Sequence, residues 1–96
     1  MITITHSCGC ITIKGHAGYA PHGQDIVCAA VSALTETFLA SVENLTKDKL
    51  ICEITAGNAV IRYGNLSDVG KTLLDSFFVG LHMIADSYPA YVSIND

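Results

Sequence analysis

The sequence predicts a single α+β domain in which two helices pack on a mixed or largely antiparallel sheet, with elements in the order ββαββαβ. Paired short runs alternate apolar and polar residues around turn residues, which is typical of hairpins. Two longer segments repeat apolar residues at three- and four-residue spacing, which is typical of amphipathic helices. Because most links are hairpins rather than long crossovers, an all-parallel sheet is not expected.

Length and composition fit one globular domain that covers residues 1–96. A chain of 96 residues can bury one core but not two independent ones. Half of the residues are apolar and 15% are charged, so burial can offset the conformational entropy of folding. We therefore expect one core and one site.

The first half of the chain predicts a hairpin, a loop and a helix. Residues 1–5 and 11–13 alternate in the strand pattern around a turn at 7–10. Residues 17–24 are rich in Gly, Pro, His and Ala, which indicates a loop. A helix capped by Asp25 should end near Asn44, with its apolar stripe formed by Ile26, Ala30, Val31, Leu34, Phe38 and Val42.

The second half predicts another hairpin, a second helix and a closing strand. Residues 50–55 and 59–63 form the hairpin, and Ser67 is the expected N-cap of the helix. Pro89 should stop that helix, and residues 90–94 should form the last strand. The apolar face of the second helix comprises Val69, Leu73, Leu74, Phe77, Leu81, Ile84 and Ala85.

Charge and hydropathy limit the partners. The formal net charge is -4 and only five residues are Lys or Arg, so no nucleic-acid partner is expected. The N-terminus lacks the pattern of a secretory signal, and no uninterrupted apolar stretch is long enough to span a bilayer. We expect a cytoplasmic protein with no membrane partner and no cofactor.

The four cysteines, at positions 8, 10, 28 and 52, do not form a secreted disulfide framework, so free thiols are expected. His6, Cys8 and Cys10 raise the alternative of a metal or redox-sensing protein, but the spacing does not fit a common zinc knuckle, and no metal is predicted. Cys52 alternates with apolar residues and should be a small buried side chain. His82 should be a structural or surface histidine.

The candidate chemistry lies where a strand leads through the 17–24 loop into the first helix. Strand end and helix start then share one edge of the sheet, which brings His16 close to Cys28. Cys28 falls in the first helical turn, where free amides and the helix dipole favour a thiolate. His16 can accept the thiol proton and later protonate a leaving amine. Helix-start amides are expected to stabilise the oxyanion.

Neighbouring residues leave several alternatives open. Asp25 can cap the helix or orient His16 as the third member of a triad, and capping is favoured. Ser32 lies one turn after Cys28 and can donate to the site or bond back to the helix carbonyl. His22 is a second imidazole in the loop and an alternative base, but a solvated loop residue is the favoured interpretation.

Gly15 and Gly18 are possible hinges of a loop that closes over substrate, although the loop can equally be an ordinary connector.

The segments Gly15-His16-Ala17 and Asp25-Ile26-Val27-Cys28-Ala29-Ala30-Val31-Ser32 resemble the signature of the ribosomal-processing cysteine protease family, Prp. The resemblance covers nearly the whole chain, including a Tyr88-Pro89 pair before the last strand. It implies a bacterial, homodimeric enzyme in which His16 and Cys28 form the catalytic dyad, and the family's aspartate and serine fall on Asp25 and Ser32.

The resemblance also implies a substrate. Family members remove a short N-terminal extension from large-subunit ribosomal protein number twenty-seven, cutting after two aromatic residues, as part of ribosome assembly. The net negative charge of this chain favours such a basic partner. The alternative is a non-catalytic ribosome-assembly or peptide-binding module of the same fold.

Overall fold

The chain folds as seven elements in the predicted order ββαββαβ. The structure is a computed structural model that describes residues 1–95. The elements are β1 (Ile2–Ser7), β2 (Cys10–Lys14), α1 (Ile26–Leu45), β3 (Leu50–Thr55), β4 (Asn58–Tyr63), α2 (Asp68–Ser87) and β5 (Val92–Asn95). The predicted α+β class is confirmed.

The five strands form one mixed sheet in the order β3-β4-β2-β1-β5. Both hairpins are antiparallel, and β2 also pairs antiparallel with β4. The exception is β5, which returns from α2 to lie parallel to β1, with Ile2 opposite Val92. β5 also runs in the same direction as β4, and α2 forms the crossover between these two strands because no hairpin can join parallel strands.

The core lies between one face of the sheet and the two helices. Alternate residues of the central strands are buried, as expected when one face of a strand is covered. α1 and α2 contact each other, and the Phe38 and Phe77 rings stack with centroids 4.7 Å apart. α1 is the one helix within residues 1–95 whose length and composition would allow it to cross a bilayer. Its buried side chains belong to this core.

Element boundaries match the predictions at the helix starts and differ at the last strand. Asp25 caps α1 and Ser67 caps α2, as predicted. The last strand begins at Val92 rather than at residue 90, because the Tyr91 N–H donates to the Tyr88 carbonyl in a turn.

The predicted apolar stripes are rotated at both helix starts. Ile26 is 54% exposed and Val69 is 51% exposed. Thr35 is buried instead, because its hydroxyl donates to the Val31 carbonyl at 2.7 Å and leaves only the methyl group to pack.

The prediction that Cys52 is buried is wrong. Cys52 is exposed, and no residue of β3 is buried. It lies opposite the buried Ile61 and therefore on the helix side of the sheet, but β3 is the edge strand and α1 does not close over it. A cleft of about 310 Å³ separates this part of β3 from α1. Alternation alone does not reveal where the helix layer stops.

Candidate active site

A cleft of about 700 Å³ opens between α1, the loop of residues 17–24 and the β3–β4 turn. It brings together all of the predicted site residues: Gly15, His16, Gly18, His22, Asp25, Cys28 and Ser32. Sequence reasoning did not predict that the β3–β4 turn, with Ala56 and Gly57, forms the facing wall.

Cys28 is the third residue after the Asp25 N-cap and lies in the first turn of α1. Its side chain is partly buried, and it is a free thiol. The Ala17 N–H donates to Cys28 Sγ at 3.2 Å. Because Ala17 directly follows His16, this hydrogen bond fixes the His16–Ala17 peptide beside the sulfur.

The Asp25 carboxylate accepts hydrogen bonds from three backbone amides. Oδ1 accepts from Val27 at 3.0 Å and from Cys28 at 2.9 Å, and Oδ2 accepts from Tyr19 at 3.0 Å. The amide of Cys28 is the main cause that holds the pKa of Asp25 below its usual value, and partial burial opposes it. Of the two roles considered for Asp25, the structure shows the helix cap, which here also ties the loop to the helix.

The helix-start amides expected to stabilise an oxyanion are already engaged in the free protein. Asp25 Oδ1 already accepts from the amides of Val27 and Cys28. The next amide, of Ala29, donates to the Asp25 carbonyl at 3.1 Å as the first helical hydrogen bond. These donors cannot turn to substrate without breaking the cap.

His16 is held at the end of the sheet by the β3–β4 turn. The preceding residue, Gly15, donates its N–H to the Gly57 carbonyl at 2.8 Å. The His16 ring lies so close to Gly57 that a Cβ there would be 2.6 Å from Nε2. Gly57 also has a φ of 71°, so both its backbone and its surroundings require glycine. The second imidazole, of His22, lines the same cleft from the exposed loop.

The wall formed by α1 carries polar residues at helical spacing from Cys28. Ser32 and Glu36 follow Cys28 by four and eight residues and line the same cleft. Ser32 makes no hydrogen bond to the Cys28 carbonyl, and within residues 1–95 neither side chain has a hydrogen-bond or ion-pair partner. Sequence reasoning missed Glu36, although its spacing from Cys28 and Ser32 is a usable signal.

The two possible hinge glycines differ in their surroundings. Gly15 has a φ of 94°, and the Met1 carbonyl occupies the space that its Cβ would need, so its geometry favours a fixed position. Gly18 has a φ of 69° and open space around it. A hinge at Gly18 stays a prediction.

The residues of the metal or redox alternative do not converge. His6 Nε2 is 2.6 Å from the Tyr63 hydroxyl, and the His6 ring stacks on Phe78 with centroids 4.7 Å apart. Cys8 is exposed in the β1–β2 turn. In the part of the chain that the structure describes, no three His, Cys, Asp or Glu side chains are grouped so as to hold a metal.

The fold and the site define the class of protein. An accessible thiol at a helix start shares a cleft with an imidazole whose neighbouring amide contacts the sulfur, and the cleft can hold several peptide residues. These are the features of thiol-dependent acyl transfer.

Comparison with known proteins gives the family. The model of the family described as "Cysteine protease Prp" matches residues 1–93. The ribosomal processing cysteine protease Prp of Mycoplasma pneumoniae is 35% identical over 104 residues, covering 100% of this chain and 95% of that protein. Its Mycoplasma genitalium counterpart is 34% identical, covering 100% and 96%. This chain therefore belongs to the Prp family, as the sequence motif indicated, and it is a cysteine protease.

Solved structures agree with the fold. The essential ribosomal processing protease Prp from S. aureus, in complex with a covalently linked product peptide, superposes with a TM-score of 0.92 at 27% identity. That comparison covers 99% of this chain and 98% of the other. A Streptococcus mutans protein superposes with a TM-score of 0.74 at 26% identity, covering 98% and 90%.

Proposed function

We propose that this chain removes the N-terminal extension of large-subunit ribosomal protein number twenty-seven, with Cys28 as nucleophile and His16 as its base. The observation that carries the proposal is the hydrogen bond from Ala17 to Cys28 Sγ, which sets the His16 backbone against the thiol. The names of the Mycoplasma relatives and of the S. aureus enzyme support the ribosomal substrate.

In the proposed mechanism His16 takes the proton of Cys28, and the thiolate attacks the scissile carbonyl carbon. A C–S bond forms, the π pair of the carbonyl moves to oxygen, and collapse of this intermediate expels the amine as His16 returns the proton. Water then hydrolyses the thioester and restores the thiol. Contact with Gly57 limits the positions that the His16 ring can adopt before the reaction.

The apolar walls of the cleft suit the aromatic pair that we propose precedes the scissile bond. Ile54 extends from β3 and is 58% exposed in the free protein, so a bound side chain can cover it. The other apolar lining residues include Ile2, Ile13, Val31 and Ala59. Burying two aromatic rings removes apolar area worth about 25 cal/mol per Å², or several kcal/mol in total.

The charge of the cleft favours a basic segment of the substrate. Among residues 1–95, no Lys or Arg lines the cleft, the Asp25 carboxylate accepts from three amides, and Glu36 is left as an unpaired negative charge on the wall. Glu36 attracts cations at low ionic strength. We place this reaction in the bacterial cytoplasm, where ribosomal proteins are assembled.

We propose a symmetric homodimer as the working form. β3 is an edge strand with large exposed apolar side chains, among them Ile51 at 65%. An uncovered strand of this kind pairs readily with a second chain. Light scattering at high concentration should give twice the mass of one chain, and a monomer mass would contradict the dimer.

The test of the proposed function is direct. The purified chain is incubated with the full-length ribosomal protein of its host, and the new N-terminus is read by mass spectrometry. Cleavage after the aromatic pair is expected. Cys28→Ala and His16→Ala should each lower the rate at least about 10³-fold with unchanged circular dichroism, whereas His22→Ala should keep most activity. An inactive His22→Ala beside an active His16→Ala would reassign the base.

A further inference from the structure

We infer that the main-chain N–H of Ala17 is a catalytic group, which donates to the oxyanion of the tetrahedral intermediate. The inference rests on the proposed function of Cys28 and adds the donor that the reaction requires. An oxyanion formed by attack of Cys28 lies next to the sulfur, so its donors must already be within hydrogen-bond distance of that position.

The amides at the start of α1 are not free to bind an oxyanion. The amides of Val27 and Cys28 donate to Asp25 Oδ1, and that of Ala29 donates to the Asp25 carbonyl. An oxyanion at these donors would also face the Asp25 carboxylate, and two anions that share donors repel. The helix start thus positions the thiol, and the oxyanion must find its donor elsewhere.

Ala17 supplies a donor in the right place. Its N–H is 3.2 Å from Cys28 Sγ, and within residues 1–95 it is the one backbone amide that donates to this sulfur. When the thiolate attacks, negative charge leaves the sulfur as the C–S bond forms and appears on the carbonyl oxygen. The N–H can therefore exchange the sulfur for the adjacent oxygen with a small shift.

The Ala17 amide is held on both sides, as a preorganised donor must be. Ala17 is 4% exposed and belongs to the core. Upstream, Gly15 is bound to the Gly57 carbonyl, and downstream the Tyr19 N–H is bound to Asp25 Oδ2. The Tyr19 ring also meets Tyr88 and Tyr91 edge-on, with centroids 5.5 and 5.2 Å away.

An amide-to-ester exchange tests the donor, because no side-chain substitution removes a backbone N–H. A synthetic segment of residues 1–27 with L-lactate in place of Ala17 is ligated to residues 28–96 at the native Cys28, which gives the full chain. The matched control carries the corresponding ester at Gln24. That residue's N–H donates to the Pro21 carbonyl in the same loop, and its side chain does not line the cleft.

The ester at position 17 should lower kcat by about 10²- to 10³-fold with a smaller change in KM, the usual cost of one lost oxyanion donor. The relative loss should be the same across the pH range in which the unmodified chain is active, and affinity for a peptide aldehyde, which forms a tetrahedral adduct, should fall in parallel. The Gln24 ester should stay within about threefold of the unmodified chain, since it loses only an exposed hydrogen bond.

Two results would overturn the inference. One is an unchanged kcat. The other is a loss that vanishes at high pH, which would mean that the Ala17 N–H only stabilises the thiolate. The ligated, unmodified chain distinguishes failure of the oxyanion assignment from failure of the proposed function. If that chain does not cleave the ribosomal protein, the proposed function itself fails. If it cleaves and the ester at position 17 does so equally well, only the oxyanion assignment fails.

Discussion

The two helices begin alike and serve different purposes. Each is 20 residues long, and each N-cap side chain accepts from first-turn amides, Asp25 in α1 and Ser67 in α2. At α2 the second partner of the cap is Asp48, which accepts from the Ser67 N–H and hydroxyl. At α1 the second partner is the amide of Tyr19, in the loop that carries the Ala17 donor.

This difference shows that a capped helix start is not by itself a reactive site. Both helices have the dipole and both have a carboxylate beside their first turn, yet the α2 cap connects only to the α1–β3 connection. At α1 the same local chemistry fixes a loop in which the amide of Ala17, two residues before the tied Tyr19, contacts the Cys28 thiol. The role of each cap therefore depends on the segment that its side chain binds.

The largest effect on cleavage is expected when the N-cap side chain of each helix is removed. Asp25→Ala should lower cleavage by about 100-fold, because it releases the Tyr19 amide and with it the position of Ala17. Ser67→Ala should cost about 1 kcal/mol of stability and leave cleavage nearly unchanged. Rates and urea midpoints of the two variants check this, and equal losses of activity would contradict the special role of the α1 cap.

The dependence of stability on pH tests the Asp25 cap. The pKa of Asp25 is lowered in the folded chain, so its contribution to stability is complete above the unfolded value near 3.8 and is lost as pH falls through the folded pKa. The urea midpoint of Asp25→Asn should therefore fall below that of the parent by a constant amount near neutral pH. That gap should shrink below about pH 4. A gap that widens as the pH falls has the wrong sign for this account.

Gly57→Ala tests the contact that fixes His16, which has no counterpart at α2. A Cβ at position 57 would be 2.6 Å from Nε2 and should turn the ring, lowering kcat by about 10-fold. Gly23 has a similar φ of 88° but open space, so Gly23→Ala carries the backbone strain without the contact with His16. Equal losses of kcat at equal stability would show that strain alone is responsible.

The fold was predictable from sequence because local patterns and the core agree. Turn residues between alternating runs gave both hairpins, and Asp25 and Ser67 marked both helix starts. The grouping of His16 with Cys28 in one cleft followed from one strand, one loop and one helix. Each of these depends on residues that are close along the chain.

The unpredicted features depend on contacts between distant segments. The exposure of Cys52 depends on where α1 ends relative to the edge strand, and the Gly57 wall depends on how β3 and β4 extend beside the loop. The hydrogen bond from Ala17 is made by a backbone atom, which leaves no trace in residue type. Such features can be recognised only in the folded structure.

The smallest expected effect concerns the unpaired carboxylate on the α1 wall. Glu36→Gln should lower kcat/KM about threefold for a peptide with a lysine-rich segment at low salt, and not at all for its uncharged analogue. Glu43→Gln, on α1 beside the second cleft, is the control. A loss that is equal for both peptides or insensitive to salt would exclude an electrostatic role for Glu36.

Selective alkylation tests the central claim, that the surroundings of Cys28 make it the nucleophile. Accessibility alone favours Cys8 and Cys52, which are exposed, over the partly buried Cys28. Partial desolvation raises the pKa of the Cys52 thiol, which disfavours its thiolate. With limiting haloacetamide at neutral pH, peptide mapping should find Cys28 modified first and activity lost in step with that label. Labelling of Cys8 or Cys52 first, with activity retained until they are saturated, would contradict the account.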